Sequence, residues 1–277
     1  MSKNIWGEDV LDSKDYSDED SVISRDVIDT TDLFQQNNSS QTSTGSVLML
    51  YGLGAELGNF EIFAKALKKN IQSTYDPNNI KIVKTTTRLE FFDAILNSGL
   101  NEIKELHVFS HAFGAGLALG YHDQALNRDR GQLVNNNPNY TYDDVITTEI
   151  GCLLTDHLIV TLLSDKTAVQ TMLQDLSFIK IWGCNSGIAN WVYGGDYWEK
   201  LNDQNTPKPS IAKALAEYTN KKVLGAMSGS HIEYFIKGKW VSGYDYPKIY
   251  NRKYPKTNEY TDIRLHPDRG SYIEFLP

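Results

Sequence analysis

Short apolar runs alternate with amphipathic segments along most of the chain, beginning at residue 46. In the amphipathic segments the apolar residues recur at helical spacing, whereas the apolar runs have the length of buried strands. The predicted strands lie within 46–54, 79–87, 104–111, 177–184 and 221–229. The predicted helices lie within 59–69, 89–97, 168–176 and 211–219, the last of them capped by Ser210.

This succession of strands and helices predicts the fold class. Strands joined through helices run parallel with right-handed crossovers, so we expect one α/β domain over residues 46–277, with a mainly parallel sheet and helices on both faces. The segment from Lys237 onward is rich in Tyr, Pro and Gly, and we expect irregular structure there. Ligands of such sheets bind beyond the carboxyl ends of the strands. At the ends of the last three predicted strands stand His111, then Cys184, then Ser228 with Ser230 and His231.

The first 45 residues differ from the rest in composition. They hold ten acidic residues against Lys3, Lys14 and Arg25, which leaves a charge of −7 out of −8 for the whole chain. Low hydrophobicity with high net charge cannot offset the entropy of ordering, so residues 1–45 are predicted to be a disordered acidic tail. We expect it to act as a solubilising leader or as a docking segment for a delivery or immunity partner.

Composition also limits the functional class of the protein. The chain after the tail is close to neutral and has no basic patch, which argues against binding of nucleic acid. No apolar run reaches the roughly 18 residues that span a membrane, and no secretory signal opens the chain. We therefore expect a cytoplasmic protein, or a bacterial effector or toxin exported by a machine that needs no such signal.

The two cysteines, Cys152 and Cys184, do not have the spacing of a zinc site or of a disulfide framework. We expect both to be reduced thiols, with no metal site, and Cys152 to be an inert thiol of the core. His157 and His266 have no companion residue in the sequence and are assigned to the surface.

A cysteine and a histidine at the ends of neighbouring strands suit nucleophilic catalysis. Only the thiolate form of a cysteine is a strong nucleophile, and a histidine within hydrogen-bond reach can remove the thiol proton and later return it to a leaving amine. Neighbouring strands lie about 4.8 Å apart, so His111 and Cys184 can meet in this way. The glycines around both residues permit the close backbone approach that an oxyanion site needs.

The segments around both residues resemble those of caspase-like cysteine peptidases. HVFSHAFGAGLALGYHD, residues 107–123, is similar to the Ser-His-Gly loop of that family, and IKIWGCNSG, residues 179–187, is similar to its strand–Cys–Ser-Gly motif. Metacaspases and the CHAT-related bacterial domains are closest in form. The resemblance covers roughly residues 46–231. It implies a caspase-like three-layer sandwich that cleaves protein or peptide substrates without a metal or an organic cofactor.

The resemblance also implies roles for particular residues. His111 would be the base and Cys184 the nucleophile, with the oxyanion held by backbone N–H groups. The residues implied for that oxyanion site, besides Cys184 itself, are Ala112, Phe113, Gly114 and Gly183. Candidate residues of the substrate pocket are Asp123, Trp182, Ser228 and His231.

The chain departs from the family at two positions. Ala112 stands where the family has glycine after the histidine. Trp182 stands where metacaspases have an acidic residue that binds a basic side chain, so a preference for Arg or Lys is not implied.

Two other interpretations remain open. FSHAFGAG is similar to the nucleophile elbow of serine esterases and lipases, with Ser110 as nucleophile and Asp196 and His231 as acid and base. That elbow needs small residues on both sides of the serine, whereas Val108 stands on one side. The third interpretation is a catalytically inactive caspase-like binding module, in which Cys184 would react like an ordinary thiol.

Overall fold

A computed structural model describes residues 44–54, 60–120, 151–159, 165–189 and 209–277. Nearly all of the predicted acidic tail lies outside the described residues, as do Asp123 and Asp196. In chain order the strands are β1 Ser46–Tyr51, β2 Ile80–Lys84, β3 Ile103–Phe109, β4 His111–Phe113, β5 Gly116–Ala118, β6 Cys152–Leu154, β7 Phe178–Ile181, β8 Val223–Ala226, β9 Ser230–Ile236, β10 Lys239–Ser242, β11 Asp262–Pro267 and β12 Tyr272–Phe275. The helices are α1 Glu61–Ile71, α2 Arg88–Leu96, α3 Thr155–Ile159, α4 Lys166–Met172, α5 Ile211–Thr219 and α6 Tyr246–Tyr250.

A six-stranded sheet forms the centre of the molecule, with the strand order β12-β8-β7-β3-β1-β2. Its first five strands along the chain pair in parallel, and β12 pairs with β8 in the antiparallel direction. Each of the five strands predicted from the sequence lies in this sheet, and each of the four predicted helices is present. The prediction of an α/β fold with a mainly parallel sheet is confirmed.

Alternate residues of the central strands face two separate cores. Leu48 and Leu50 of β1 belong to a core shared with α2, α4 and α5, whereas Val47 and Met49 belong to a core shared with α1. This is the side-chain alternation of a strand that is buried on both faces. Helices therefore cover both faces of the sheet, as predicted.

The start of α5 follows local rules that the sequence makes visible. The hydroxyl of Ser210 accepts a hydrogen bond of 3.1 Å from the Lys213 backbone N–H, so Ser210 caps the helix as predicted. The residue after the helix, Asn220, has a φ of 56°, a left-handed conformation that commonly ends helices.

The prediction of irregular structure from Lys237 onward is wrong. That segment contains β10, α6, β11 and β12; β9 pairs with both β10 and β11, and β12 joins the central sheet. The inward residues of β11, Ile263 and Leu265, alternate with polar ones. This alternation is only a few residues long and ends in a proline, so the apolar pattern along the chain is too weak to indicate a strand.

The third strand is also shorter than predicted. It ends at Phe109, and His111 begins β4, which forms an antiparallel hairpin with β5 that β6 extends. The glycine-rich segment after His111 is therefore part of a small three-stranded sheet.

No helix within the described residues is long and apolar enough to cross a membrane.

Candidate active site at the carboxyl ends of β3 and β7

The chain segments that follow β3 and β7 run against each other. The Trp182 backbone N–H donates to the Val108 carbonyl at 2.9 Å, which continues the parallel pairing beyond the last residue of β7. A Cβ atom added to Gly183 would lie 2.5 Å from the Ala112 Cβ and 2.6 Å from the Ser110 carbonyl oxygen, so only glycine fits there. His111 and Cys184 each lie next to a residue of this contact, at the same edge of the sheet.

The imidazole of His111 is oriented by a backbone carbonyl. Its Nε2 lies 2.9 Å from the Gly54 carbonyl oxygen, and the ring of Phe60 packs against it edge-on, with the ring centroids 5.1 Å apart. A carbonyl oxygen can only accept a hydrogen bond, so Nε2 carries a proton in this contact. In the neutral ring the lone pair is then on Nδ1, which makes Nδ1 the atom that can accept a proton.

The Gly54 carbonyl is in turn held by the end of β1. The backbone N–H of Gly52 donates to the Phe109 carbonyl and that of Leu53 donates to the Leu119 carbonyl, both at 2.8 Å. Gly54 itself has a φ of 95°, a conformation that side chains other than hydrogen rarely permit. The glycine turn that follows the first strand therefore directs a carbonyl at His111.

Cys184 is half-buried, and its sulfur accepts a backbone hydrogen bond. The Ser230 N–H donates to Cys184 Sγ at 3.2 Å, and the next residue after the cysteine, Asn185, donates its N–H to the Ser228 carbonyl at 2.8 Å. A donor directed at the sulfur stabilises a thiolate more than a thiol. The two cysteines of the chain form no disulfide, and Cys152 is buried in β6.

The first turn of α5 joins the two loops. The Ile211 N–H donates to the Gly114 carbonyl at 2.8 Å, and the Ala212 N–H donates to the Ser186 carbonyl at 3.0 Å. The unpaired N–H groups at a helix start need acceptors, and here they take one from the histidine side and one from the cysteine side. The residues predicted for the oxyanion site lie within this arrangement: Ala112 and Phe113 on β4, Gly114 in the turn after it, and Gly183 against them.

His231 has a different environment, made of carboxylates. Its Nδ1 lies 2.8 Å from Asp268 Oδ1, and its Nε2 lies 3.6 Å from Glu233 Oε1. Burial lowers the pKa of His231, but the contacts with Asp268 and Glu233 outweigh that effect and raise the pKa to about 9. The hydroxyl of Tyr244 also donates to Asp268, at 3.3 Å. His231 is therefore protonated near neutral pH. It directly follows Ser230, the residue whose N–H donates to Cys184.

Two of the predicted pocket residues, Trp182 and Ser228, make contacts that hold the structure together. Trp182 is buried, stacks on Phe109 with ring centroids 5.3 Å apart, and donates its indole N–H to His107 Nδ1 at 3.2 Å. Ser228 accepts a hydrogen bond of 3.1 Å from the Arg269 backbone N–H, which ties the β8–β9 connection to the segment after β11.

Sequence reasoning missed Asp268, because the segment that contains it was expected to be irregular. It also placed His157 and His266 on the surface; the assignment of His157 is wrong, whereas His266 is half-buried. His157 is fully buried and accepts a hydrogen bond from the Leu154 backbone, while His266 lies on β11 directly opposite His231.

Ser110 does not have the exposure of a nucleophile. Its side chain has no accessible surface, and its hydroxyl has no hydrogen-bond partner among the residues that the structure describes. The elbow of serine hydrolases exposes its hydroxyl at the top of the sheet. His231, the base of the serine interpretation, has Nδ1 against Asp268 and Nε2 toward Glu233, and the acid of that interpretation, Asp196, lies outside the described residues.

Comparison of the chain with protein-family models, with curated proteins and with solved structures finds no match. The sheet topology and the geometry of these two loops are therefore the observations on which a function can be argued.

Proposed function

We propose that this chain is a cysteine peptidase with a caspase-like fold, in which Cys184 is the nucleophile and His111 is the base. The observation that carries the proposal is the hydrogen bond of 2.9 Å between His111 Nε2 and the Gly54 carbonyl. Because it keeps the ring proton on Nε2, the opposite nitrogen has the lone pair that a base needs. The contact of Gly183 with Ser110 and Ala112 supports the pairing, since these two residues flank His111 in the chain and Gly183 precedes Cys184.

The reaction follows from these assignments. His111 Nδ1 takes the thiol proton of Cys184, and the thiolate adds to the carbonyl carbon of a peptide bond. Backbone N–H groups of Cys184 and of residues 112–114 stabilise the oxyanion that forms. The C–N bond then breaks as His111 returns the proton to the leaving amine, and water activated by the same ring hydrolyses the thioester to release the acid and restore the thiol.

The environment of the sulfur supports the same role. A thiol is only a few per cent ionised near neutral pH unless donors or positive charges stabilise the thiolate. Here the Ser230 N–H points at the sulfur and donates to it at 3.2 Å. Cys152 is buried in β6 instead, which makes it a control within the same chain.

Alkylation tests the dyad directly. In a Cys152→Ala chain, Cys184 should react with iodoacetamide about tenfold or more faster than a simple thiol near pH 6, since it would be ionised there, and His111→Ala should remove that advantage. Intact-protein mass spectrometry measures the rate, and Cys184→Ala in the wild-type background reports the reactivity of Cys152. Equal rates for the parent and His111→Ala would contradict the dyad and favour the inactive binding module.

Peptide cleavage tests the substrate class. The parent chain, Cys184→Ala and Ser110→Ala are incubated with a mixed peptide library, and new termini are read by mass spectrometry. We expect cleavage by the parent and by Ser110→Ala and none by Cys184→Ala. Fast alkylation without any cleavage by the parent would overturn the peptidase assignment while leaving a reactive cysteine.

A further inference from the structure

Three metal-binding side chains lie together on one face of the β9–β11 pair. His231 and Glu233 are two residues apart on β9 and therefore point to the same side, and His266 is the residue of β11 directly opposite His231. One ligand atom from each residue lies within 4.8 Å of the other two. The imidazole rings of the two histidines have centroids 5.8 Å apart and are tilted by 55°.

Each of the three side chains is oriented by a second partner. His231 Nδ1 lies 2.8 Å from Asp268 Oδ1, and His266 Nδ1 lies 2.8 Å from the Pro267 carbonyl, so both rings turn Nε2 away from these acceptors. Glu233 accepts a hydrogen bond of 2.8 Å from Arg264 Nε on Oε2, while Oε1 is the oxygen nearer His231. Metal-bound histidines commonly have a carboxylate or a carbonyl on the second ring nitrogen, because that contact sets the tautomer and the direction of the ring.

We propose that His231, Glu233 and His266 bind a divalent transition metal ion of the zinc class. Two imidazoles and one carboxylate form a ligand set that zinc uses when a further position is left for water or another ligand. Calcium and magnesium prefer sites made of oxygen atoms, so the two imidazoles argue against them. The distance of 3.6 Å between His231 Nε2 and Glu233 Oε1 exceeds an ordinary hydrogen bond, and a bridging ion would bind both atoms.

The site is distinct from the proposed dyad and does not depend on its activity. The metal site lies on the three-stranded sheet β10-β9-β11. His111 and the loop that contains Cys184 lie beyond the carboxyl ends of β3 and β7 in the central sheet. Among the described residues, Ser230 links the two places, since it precedes His231 and donates its N–H to Cys184. Since zinc also binds thiolates, the experiment has to remove the cysteines first.

The test is a zinc titration of the full-length chain that carries Cys152→Ala and Cys184→Ala, after removal of metal with a chelator. Isothermal titration calorimetry with zinc chloride should give about one equivalent per chain, and excess magnesium should not compete. His266→Ala in the same background should weaken binding by more than tenfold, and Asp268→Asn should weaken it by about 10- to 100-fold. Substitution of Leu89, which is exposed on α2, by Ala should leave binding unchanged.

Circular dichroism and thermal melting of the metal-free chains show whether the variants fold. Zinc should raise the melting temperature of the parent and not that of His266→Ala. His266→Gln provides a second variant of similar size if the alanine variant does not fold. The proposal is overturned if the parent takes up no zinc, or if the folded His266 variants bind it as tightly as the parent does.

Discussion

Two histidines of the described part of the chain, His111 and His231, face partners of different charge. His111 faces a backbone carbonyl, which accepts one ring proton and carries no net charge, so the ring can be neutral with a lone pair on Nδ1. His231 faces Asp268 and Glu233, and these contacts raise its pKa to about 9 against the effect of burial. The difference shows that the partner of an imidazole, and not the imidazole alone, sets how strongly its protonated form is favoured.

The largest expected effect is on the chemical step of peptide cleavage, where the two histidines should differ most. His111→Ala should lower kcat/KM for a cleaved peptide by about 10²- to 10⁴-fold, because the chain would lose its general base. His231→Ala should lower it by less than about tenfold, since this ring is paired with Asp268 and Glu233 and transfers no proton in the proposed reaction. Steady-state kinetics on the peptide found in the library screen gives both values. Similar losses for the two variants would mean that both rings share the proton transfer.

The next effect concerns the contact that brings the two loops together. Gly183→Ala should destabilise the fold by about 2–3 kcal/mol, because the new methyl group would overlap the Ser110 carbonyl and the Ala112 side chain. Urea unfolding followed by tryptophan fluorescence measures the change. Gly99→Ala serves as a control in open space, although its positive φ gives it a cost of its own of about 1 kcal/mol. A Gly183→Ala chain no less stable than this control would argue against the close approach.

A third histidine, His107, is buried in the core and contacts the carboxylate of Glu105. Its Nε2 lies 2.9 Å from Glu105, which also accepts from the Tyr75 hydroxyl at 2.8 Å. Burial raises the pKa of Glu105, but the hydrogen bonds from His107 and Tyr75 outweigh that effect and hold the pKa below its ordinary value. A lowered folded-state pKa stabilises the protein above the unfolded pKa of about 4.5, and this contribution is lost as the pH falls through the folded value.

Glu105→Gln should therefore cost about 1.5–2 kcal/mol at neutral pH, where the wild-type carboxylate is charged and accepts two hydrogen bonds. The difference in unfolding free energy between the wild type and Glu105→Gln should shrink at pH values below the unfolded pKa of Glu105. Urea unfolding at neutral and at acid pH measures both differences. A cost that is the same at both pH values would show that shape, and not charge, accounts for it.

The smallest effect tests the carbonyl that orients His111. Gly54 and Gly238 have positive φ angles of 95° and 81°, so alanine at either position should cost about 1 kcal/mol of stability. Only Gly54→Ala should also lower kcat/KM, by roughly tenfold, because it moves the acceptor of His111 Nε2. Equal kcat/KM values for the two variants would show that the Gly54 carbonyl does not orient His111 for catalysis.

Local patterns were sufficient to predict much of the fold. The five apolar runs and four amphipathic segments indicate the parallel sheet, and Ser210 marks the start of α5. The rule that parallel strands end at one edge then assigns His111 and Cys184 to the same edge, as the contact of Gly183 with the histidine loop supports. These inferences depend on a few neighbouring residues at a time, and such information is present in the order of the chain.

The partners of those residues depended on the tertiary structure. The Gly54 carbonyl reaches His111 across 57 residues, the Ser230 N–H reaches Cys184 across 46, and Asp268 reaches His231 across 37. The pairing of His231 with His266 depends on the register of two antiparallel strands, and a shift of one residue would turn these side chains to opposite faces. Register is set by packing between distant segments, so the apolar pattern could show where strands lie but not which polar side chains would face each other.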